Sequence, residues 1–199
     1  MIGLTVGAGK SSVARILQSL GAAVIESDRH VYEEFGDPEV AATLQGWWGE
    51  KVCHPDGTID PQGVASVVFD APAELARLEC LVHPRLARRR ERLVAEYMAD
   101  SAFRAVVLDS PKLIEVGSNN LCDAVVFVDA DRSIRLNRLA SSRGWTDEEL
   151  TRRENLLTPL DTKKAIADYV LRNHSSIADL RPEVERVLAS VLEAFSRSR

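Results

Sequence analysis

Ile2-Gly3-Leu4-Thr5-Val6-Gly7-Ala8-Gly9-Lys10-Ser11-Ser12 is the stretch on which the fold turns. An apolar start runs into a glycine-rich turn. Val13, Ile16, Leu17 and Leu20 then recur at helical spacing, and Gly21 supplies a stop. Ala22-Ala23-Val24-Ile25 reads as a short buried strand. Strand, glycine loop, helix and strand in that order open a βαβ unit, so the chain is predicted to be α/β. The loop also carries chemistry. Backbone N–H groups of a glycine turn at a helix N-terminus cradle phosphate oxygens, a lysine neutralises their charge, and a hydroxyl ligates Mg²⁺. Gly7, Ala8, Gly9, Lys10, Ser11 and Ser12 are therefore the candidate phosphate-binding residues, with Ser11 the candidate metal ligand. Gly9-Lys10-Ser11 matches the end of G-x-x-x-x-G-K-[ST], but Leu4 stands where the pattern begins with glycine. The plain alternative is a glycine turn with Lys10 in solvent; the strand–loop–helix context favours phosphate.

Working outward, residues 28–100 read as helical with polar breaks and no strand of any length. Asp56-Gly57 marks a turn, Asp37-Pro38 and Asp70-Ala71-Pro72 mark helix starts, and His83-Pro84 introduces a helix bearing Arg85, Arg88, Arg89, Arg90 and Arg92. The tryptophan pair Trp47-Trp48 falls in this block, with core packing as its default role. Ala105-Val106-Val107-Leu108 and Ala124-Val125-Val126-Phe127-Val128 are continuous apolar runs, as expected of strands covered on both faces of a parallel sheet. They end in Asp109-Ser110-Pro111 and Asp129-Ala130-Asp131, where parallel sheets place their sites. The arginine-rich segment 133–157 is helical, and Thr146 followed by Glu149 signals a helix start near Asp147. Tyr169-Val170-Leu171 is a brief strand candidate. The final helix carries an apolar stripe from Ile177 to Phe195.

Composition excludes several classes. With 25 Lys+Arg against 30 Asp+Glu in 199 residues the net charge is −5, which argues against broad attraction to nucleic acid. No apolar run reaches the roughly 18 residues of a membrane span, and a signal-peptide layout is missing. Cys53, Cys80 and Cys122 form no CxxC pair, which fits a reducing, cytoplasmic setting.

The order Gly7-Ala8-Gly9-Lys10-Ser11-Ser12, Asp28, His83-Pro84, Leu108-Asp109-Ser110-Pro111-Lys112-Leu113-Ile114-Glu115, Cys122-Asp123, Arg138-Leu139, Arg143, Arg153, Lys163, Ala167-Asp168 and Asn173 resembles the dephospho-CoA kinase family over nearly the whole chain. The resemblance implies a P-loop kinase with a doubly wound parallel sheet, ATP and Mg²⁺ as cofactors, and phosphorylation of the ribose 3′-hydroxyl of dephospho-CoA. It further implies a nucleotide-binding core (1–27, 101–132 and 158–199), a helical acceptor-binding insertion (28–100) and a lid (133–157). A monomer or weak homo-oligomer is expected. Asp28 would then be the base for the attacking hydroxyl rather than a helix-capping carboxylate. His83, Arg85 and Asp109 would serve the acceptor, although Asp109 also reads as a strand-ending turn or a Walker-B-like acid near Mg²⁺. Arg143, beside Gly144 at a helix junction, is the first choice for reaching ATP phosphates, and Asn173 is either an adenine contact or a turn residue. Glu115 stands evenly between a role and plain solvent exposure.

The family loop resembles GLTGGIGSGKST, so Gly3 to Ser12 is two residues shorter. Leu157 replaces a glutamine usual in the lid, and His174-Ser175 follows Asn173 where glycine is common. A shortened loop would lose phosphate-binding N–H donors. Two other readings stay open on the sequence: a non-catalytic nucleotide- or CoA-binding protein, and another small-molecule P-loop kinase.

Overall fold

The computed structural model describes residues 2–3, 8–69, 71–174 and 177–197. In chain order the elements are β1 (Ile2–Gly3), α1 (Lys10–Ser19), β2 (Ala22–Glu26), α2 (Ser27–Glu34), α3 (Pro38–Trp48), α4 (Pro61–Phe69), α5 (Pro72–Ala99), β3 (Ala105–Asp109), β4 (Val126–Asp129), α6 (Arg132–Arg143), α7 (Asp147–Glu154), α8 (Leu160–Ile166), β5 (Tyr169–Arg172) and α9 (Ile177–Arg197). Short 3₁₀ turns lie at Gly49–Val52 and Ser118–Leu121. The chain forms two compact units, Met1–Ile25 with Tyr97–Arg199, and Glu26–Glu96. Among the described residues no helix is long and apolar enough to cross a membrane.

In the first unit β1 pairs parallel with β4, and β4 pairs parallel with β5. The register sets Gly3 opposite Phe127, and Asp129 opposite Arg172. The carboxyl ends of these three parallel strands therefore share one edge, which is where an open α/β sheet gathers its site. β2 and β3 pair separately, with β3 lying beside β1. The apolar run at 124–128 enters the ladder only at Val126. Val125 is instead tied down by Asp168, whose carboxylate accepts from Val125 N at 2.7 Å and whose N–H donates to Val125 O at 2.9 Å.

Val13, Ile16 and Leu17 of α1 and Leu180, Val184 and Leu188 of α9 bury their stripes with Val107, Val126, Val128 and Leu171. The three α9 residues are spaced by four, one face of a helix. At roughly 1.5–3 kcal/mol per fully buried aliphatic side chain, this cluster is the main stabilising force in the unit.

The second unit has its own core: Phe35, Val40, Leu44, Val52, Ile59, Val64, Leu78 and Val82. Asp37 caps α3 as its sequence suggests, accepting from Glu39 N at 3.0 Å and Val40 N at 3.2 Å, with Pro38 in the first turn. Trp47 and Trp48 meet each other edge to face and pack against this core, and Trp48 Nε1 donates to Glu74 Oε2 at 2.7 Å.

One sequence expectation is corrected here. Pro84 does not start a helix; α5 runs through it from Pro72 to Ala99. Proline inside a helix removes one main-chain bond and crowds the preceding turn, costing about 3 kcal/mol. Tertiary anchors offset that cost. Leu78 and Val82 are buried before the proline, and after it Arg85 pairs with Asp37 and Glu39, and Arg89 with Glu33 and Glu34.

Candidate active site

The described part of the glycine turn is Ala8 and Gly9. Gly9 has φ 87°, and a Cβ there would overlap the side-chain amide of Asn173, so glycine is required on both conformational and steric grounds. Asn173 Nδ2 donates to Ala8 O at 2.6 Å, Arg138 Nη2 donates to Asn173 Oδ1 at 3.2 Å, and Asn173 N donates to Asp129 O at 2.7 Å. The loop is thus braced from behind by the residue that follows β5, itself tied to the end of β4. Ser12 N and Val13 N close onto Gly9 O and begin α1, whose first turn carries no acidic residue. The positive end of the helix dipole is left for an anion. Gly7, with Leu4, Thr5 and Val6, lies outside the described residues.

Lys10 is the first residue of α1 and forms an ion pair with Asp109, the last residue of β3. The Lys10 side chain is 15% exposed and that of Asp109 6%. This contradicts the reading of Lys10 as a solvent lysine. Its ammonium is held at the carboxyl edge of the sheet, immediately after the glycine turn. Ser11 is exposed in the same first turn, and among the described residues no group of three or more His, Cys, Asp or Glu is placed to hold a metal. One hydroxyl without a carboxylate cage suits Mg²⁺, which keeps several waters and takes its remaining oxygens from bound phosphates.

The stretch after Asp109 ends in a second pair. The Lys163 side chain, 0% exposed, donates to Glu115 Oε1 at 2.7 Å and to Pro111 O at 3.0 Å. Glu115 also accepts from Thr158 N at 2.8 Å. Burial works to raise the Glu115 pKa, but the Lys163 and Thr158 hydrogen bonds outweigh it and hold the carboxyl below its ordinary value. Glu115 is therefore an anchor held by Lys163 and Thr158, although the residue as a whole stays exposed, with 19% of its side chain accessible. Nothing in the local pattern separates Lys163 from its neighbour Lys164, which is half-exposed and paired with Asp129 at 2.7 Å.

The arginines of residues 132–157 divide by task. Arg132 joins α6 to α7 through Glu154 (2.5 Å) and Asp147 (2.8 Å), and buried Arg135 joins Glu154 as well. Arg138 reaches the glycine turn. Arg143 is exposed at the end of α6, its guanidinium carbon 5.2 Å from the centre of the Trp145 ring, and Arg153 approaches the same ring at 4.3 Å.

Asp28, His83 and Arg85 belong to the second unit. Asp28 is exposed in the first turn of α2 and His83 is exposed on α5. Arg85 pairs with Glu39 at 2.5 Å and Asp37 at 3.3 Å, and the Glu39 hydrogen bond raises its pKa further. Burial and the Arg89 charge hold His30 below the ordinary histidine value. Of the residues singled out from sequence, the structure brings together Ala8, Gly9, Lys10, Asp109 and Asn173. Arg138, named in the sequence only among the lid-region residues, joins them through Ala8 O and Asn173, a contact that its place on an arginine-rich helix did not signal.

Known proteins resemble the chain over nearly its whole length. Residues 1–179 match the family model described as dephospho-CoA kinase. The chain is 34% identical to the dephospho-CoA kinase of Corynebacterium glutamicum over 195 residues, covering 96% of each chain. It is 36% identical to that of Streptomyces avermitilis over 195 residues, covering 96% of this chain and 93% of the relative. Among solved structures, TT1252 from Thermus thermophilus superimposes with a TM-score of 0.77 at 30% identity, covering 95% of each chain. A dephospho-CoA kinase from Campylobacter jejuni shares the fold, with a TM-score of 0.59 at 22% identity over 96% of each chain. This chain belongs to the dephospho-CoA kinase family.

Proposed function

We propose a division of labour for the reaction that this family membership brings, the ATP-dependent phosphorylation of dephospho-CoA in coenzyme A biosynthesis. Gly7 to Ser12 and the N-terminus of α1 hold the ATP phosphates, and Lys10 neutralises their charge. Ser11 would hold Mg²⁺, which would supply positive charge to offset the charge that develops in phosphoryl transfer. Asp28 orients the ribose 3′-hydroxyl and accepts its proton, an effect typically worth roughly 10²–10⁴-fold. Asp109 sets the position of Lys10 and borders the acceptor. His83 and Arg85 serve dephospho-CoA binding from the helical insertion, residues 28–100. Residues 133–157 act as a lid, with Arg143 reaching the transferring phosphoryl group, where bidentate cationic donors are most useful. Asn173 acts through the glycine turn it braces. The protein works in the cytoplasm as a monomer or weak homo-oligomer.

The observation that carries this reading is the buried pairing of Lys10 with Asp109 directly behind the glycine turn. Its test is dephospho-CoA-dependent ADP release by a Lys10→Ala variant. A loss of roughly 10²–10³-fold in kcat is expected, the scale of removing one preorganised charge stabiliser. Full activity in a folded Lys10→Ala protein would end the assignment.

A further inference from the structure

Gly144 and Trp145 form the turn between α6 and α7, and both helix ends fix it. Gly144, at φ 67°, caps α6 in the left-handed conformation, with its N–H donating to Ala140 O at 3.0 Å and Trp145 N reaching Leu139 O at 3.4 Å. Thr146 caps α7 by accepting from Glu149 N at 3.3 Å. Trp145 is thus held by a C-terminal cap on one side and an N-terminal cap on the other. Arg132 and Arg135 staple the two helices behind it through Glu154 and Asp147.

Onto this fixed indole come two cations from different helices. Arg143 ends α6 and lies 5.2 Å from the ring centre; Arg153 projects from α7 and lies 4.3 Å from it, steadied by Glu149 Oε1 at 2.6 Å from its Nε. Both are within the roughly 6 Å over which an aromatic face attracts a guanidinium, and tryptophan is the strongest such face. Two like charges on one hairpin tip repel each other; the shared indole offsets that repulsion and reduces the freedom of two long side chains.

We propose that Trp145 is a positioning residue for phosphoryl transfer, its indole holding Arg143 and Arg153 as one preorganised pair for the phosphates. The proposal rests on the reading that Arg143 serves those phosphates. A phosphoryl group in flight spreads its charge over several oxygens, and two forked donors match that distribution better than one. Trp145 touches no substrate; it acts through the arginines.

The test is steady-state kinetics on the full chain with ATP and dephospho-CoA, comparing Trp145→Phe, Trp145→Leu, Arg143→Ala and the Arg143→Ala/Trp145→Leu double variant. Trp145→Leu is expected to lower kcat roughly tenfold, the sum of two modest cation–aromatic contacts, with KM for dephospho-CoA unchanged. Trp145→Phe keeps an aromatic face and should recover most of that rate. The double variant should be barely slower than Arg143→Ala, because both act along one route. ATP should also change indole emission in the wild type in a way that Trp145→Phe, which retains Trp47 and Trp48, does not reproduce. If Arg143→Ala is as fast as wild type, the phosphate role of Arg143 fails. If Arg143→Ala is slow while Trp145→Leu matches Trp145→Phe, the platform alone fails. A kcat loss that follows the melting temperature and is equal in both Trp145 variants shows plain packing and overturns the proposal.

Discussion

Two lysine–carboxylate pairs bracket the stretch from Asp109 to Glu115, and they differ in what can reach the cation. Lys10, paired with Asp109, keeps 15% of its side chain exposed and sits at the positive end of α1, behind a glycine turn. Lys163, paired with Glu115, is wholly enclosed, and its ammonium also donates to Pro111 O. The same two charges therefore do different things. Where a helix N-terminus invites an anion, the lysine is a cation that a phosphate can share. Where only protein groups surround it, the lysine fastens chain to chain: the stretch after β3, the turn at Thr158 and α8.

The comparison breaks most visibly at Lys163. Lys163→Met would leave the partly enclosed Glu115 carboxylate and Pro111 O without their shared donor, a change that typically costs about 2–3 kcal/mol. At about 2–4 °C per kcal/mol for a chain of this size, calorimetry should show melting lowered by roughly 4–12 °C, while kcat measured well below that melt changes little. Melting within a degree or two of wild type would mean the pair is not an anchor. The mirror experiment is Lys10→Met with Asp109→Asn, which discharges both partners. Melting should return near wild type, whereas kcat should stay down by roughly 10²–10³-fold. Recovery of rate along with stability would make the two pairs equivalent and sink the distinction.

A third change sharpens the reactive half alone. The loop from Gly3 to Ser12 is two residues shorter than the family pattern it resembles. Inserting Gly-Gly between Thr5 and Val6 would add two N–H donors, each worth about 1 kcal/mol net. KM for ATP should fall roughly thirtyfold, with the melting curve unmoved. An unchanged KM would mean that the short loop already supplies the donors the phosphates need.

How much of this was legible in the sequence follows from how local each feature is. Asp37-Pro38, Thr146 with Glu149, and the apolar runs at Ala105 and Val126 announce their elements because caps and strands depend on neighbours within a few residues. Gly9-Lys10-Ser11 was readable for the same reason. The passage of α5 through Pro84 was not, since the ion pairs of Arg85 and Arg89 with residues 33–39 that offset the proline are long-range. Nor were Arg138 on Ala8 and Lys163 on Glu115, whose partners lie far away in the chain. Charge and helix spacing are alike for Lys163 and Lys164, and only the tertiary fold decides which one is enclosed.

The smallest effect is the most specific, because it isolates Glu115 by its titration. Its folded-state pKa lies below the ordinary value: burial opposes ionisation, and the Lys163 and Thr158 hydrogen bonds overcome that opposition. A carboxyl whose pKa is depressed on folding adds stability that is complete above its unfolded pKa, about 4.3 for glutamate, and is lost as pH falls through the folded value. Glu115→Gln keeps an acceptor for Thr158 N–H but cannot titrate. Unfolding free energy should therefore fall more steeply for wild type than for Glu115→Gln as pH drops from about 5 toward 3, with a constant difference above pH 6. Every other titratable group is common to both proteins, so subtracting the two curves leaves the Glu115 contribution alone. Parallel curves throughout would mean that Glu115 gains nothing from its charge in the fold, and the anchor would then rest on hydrogen bonding without the ion pair.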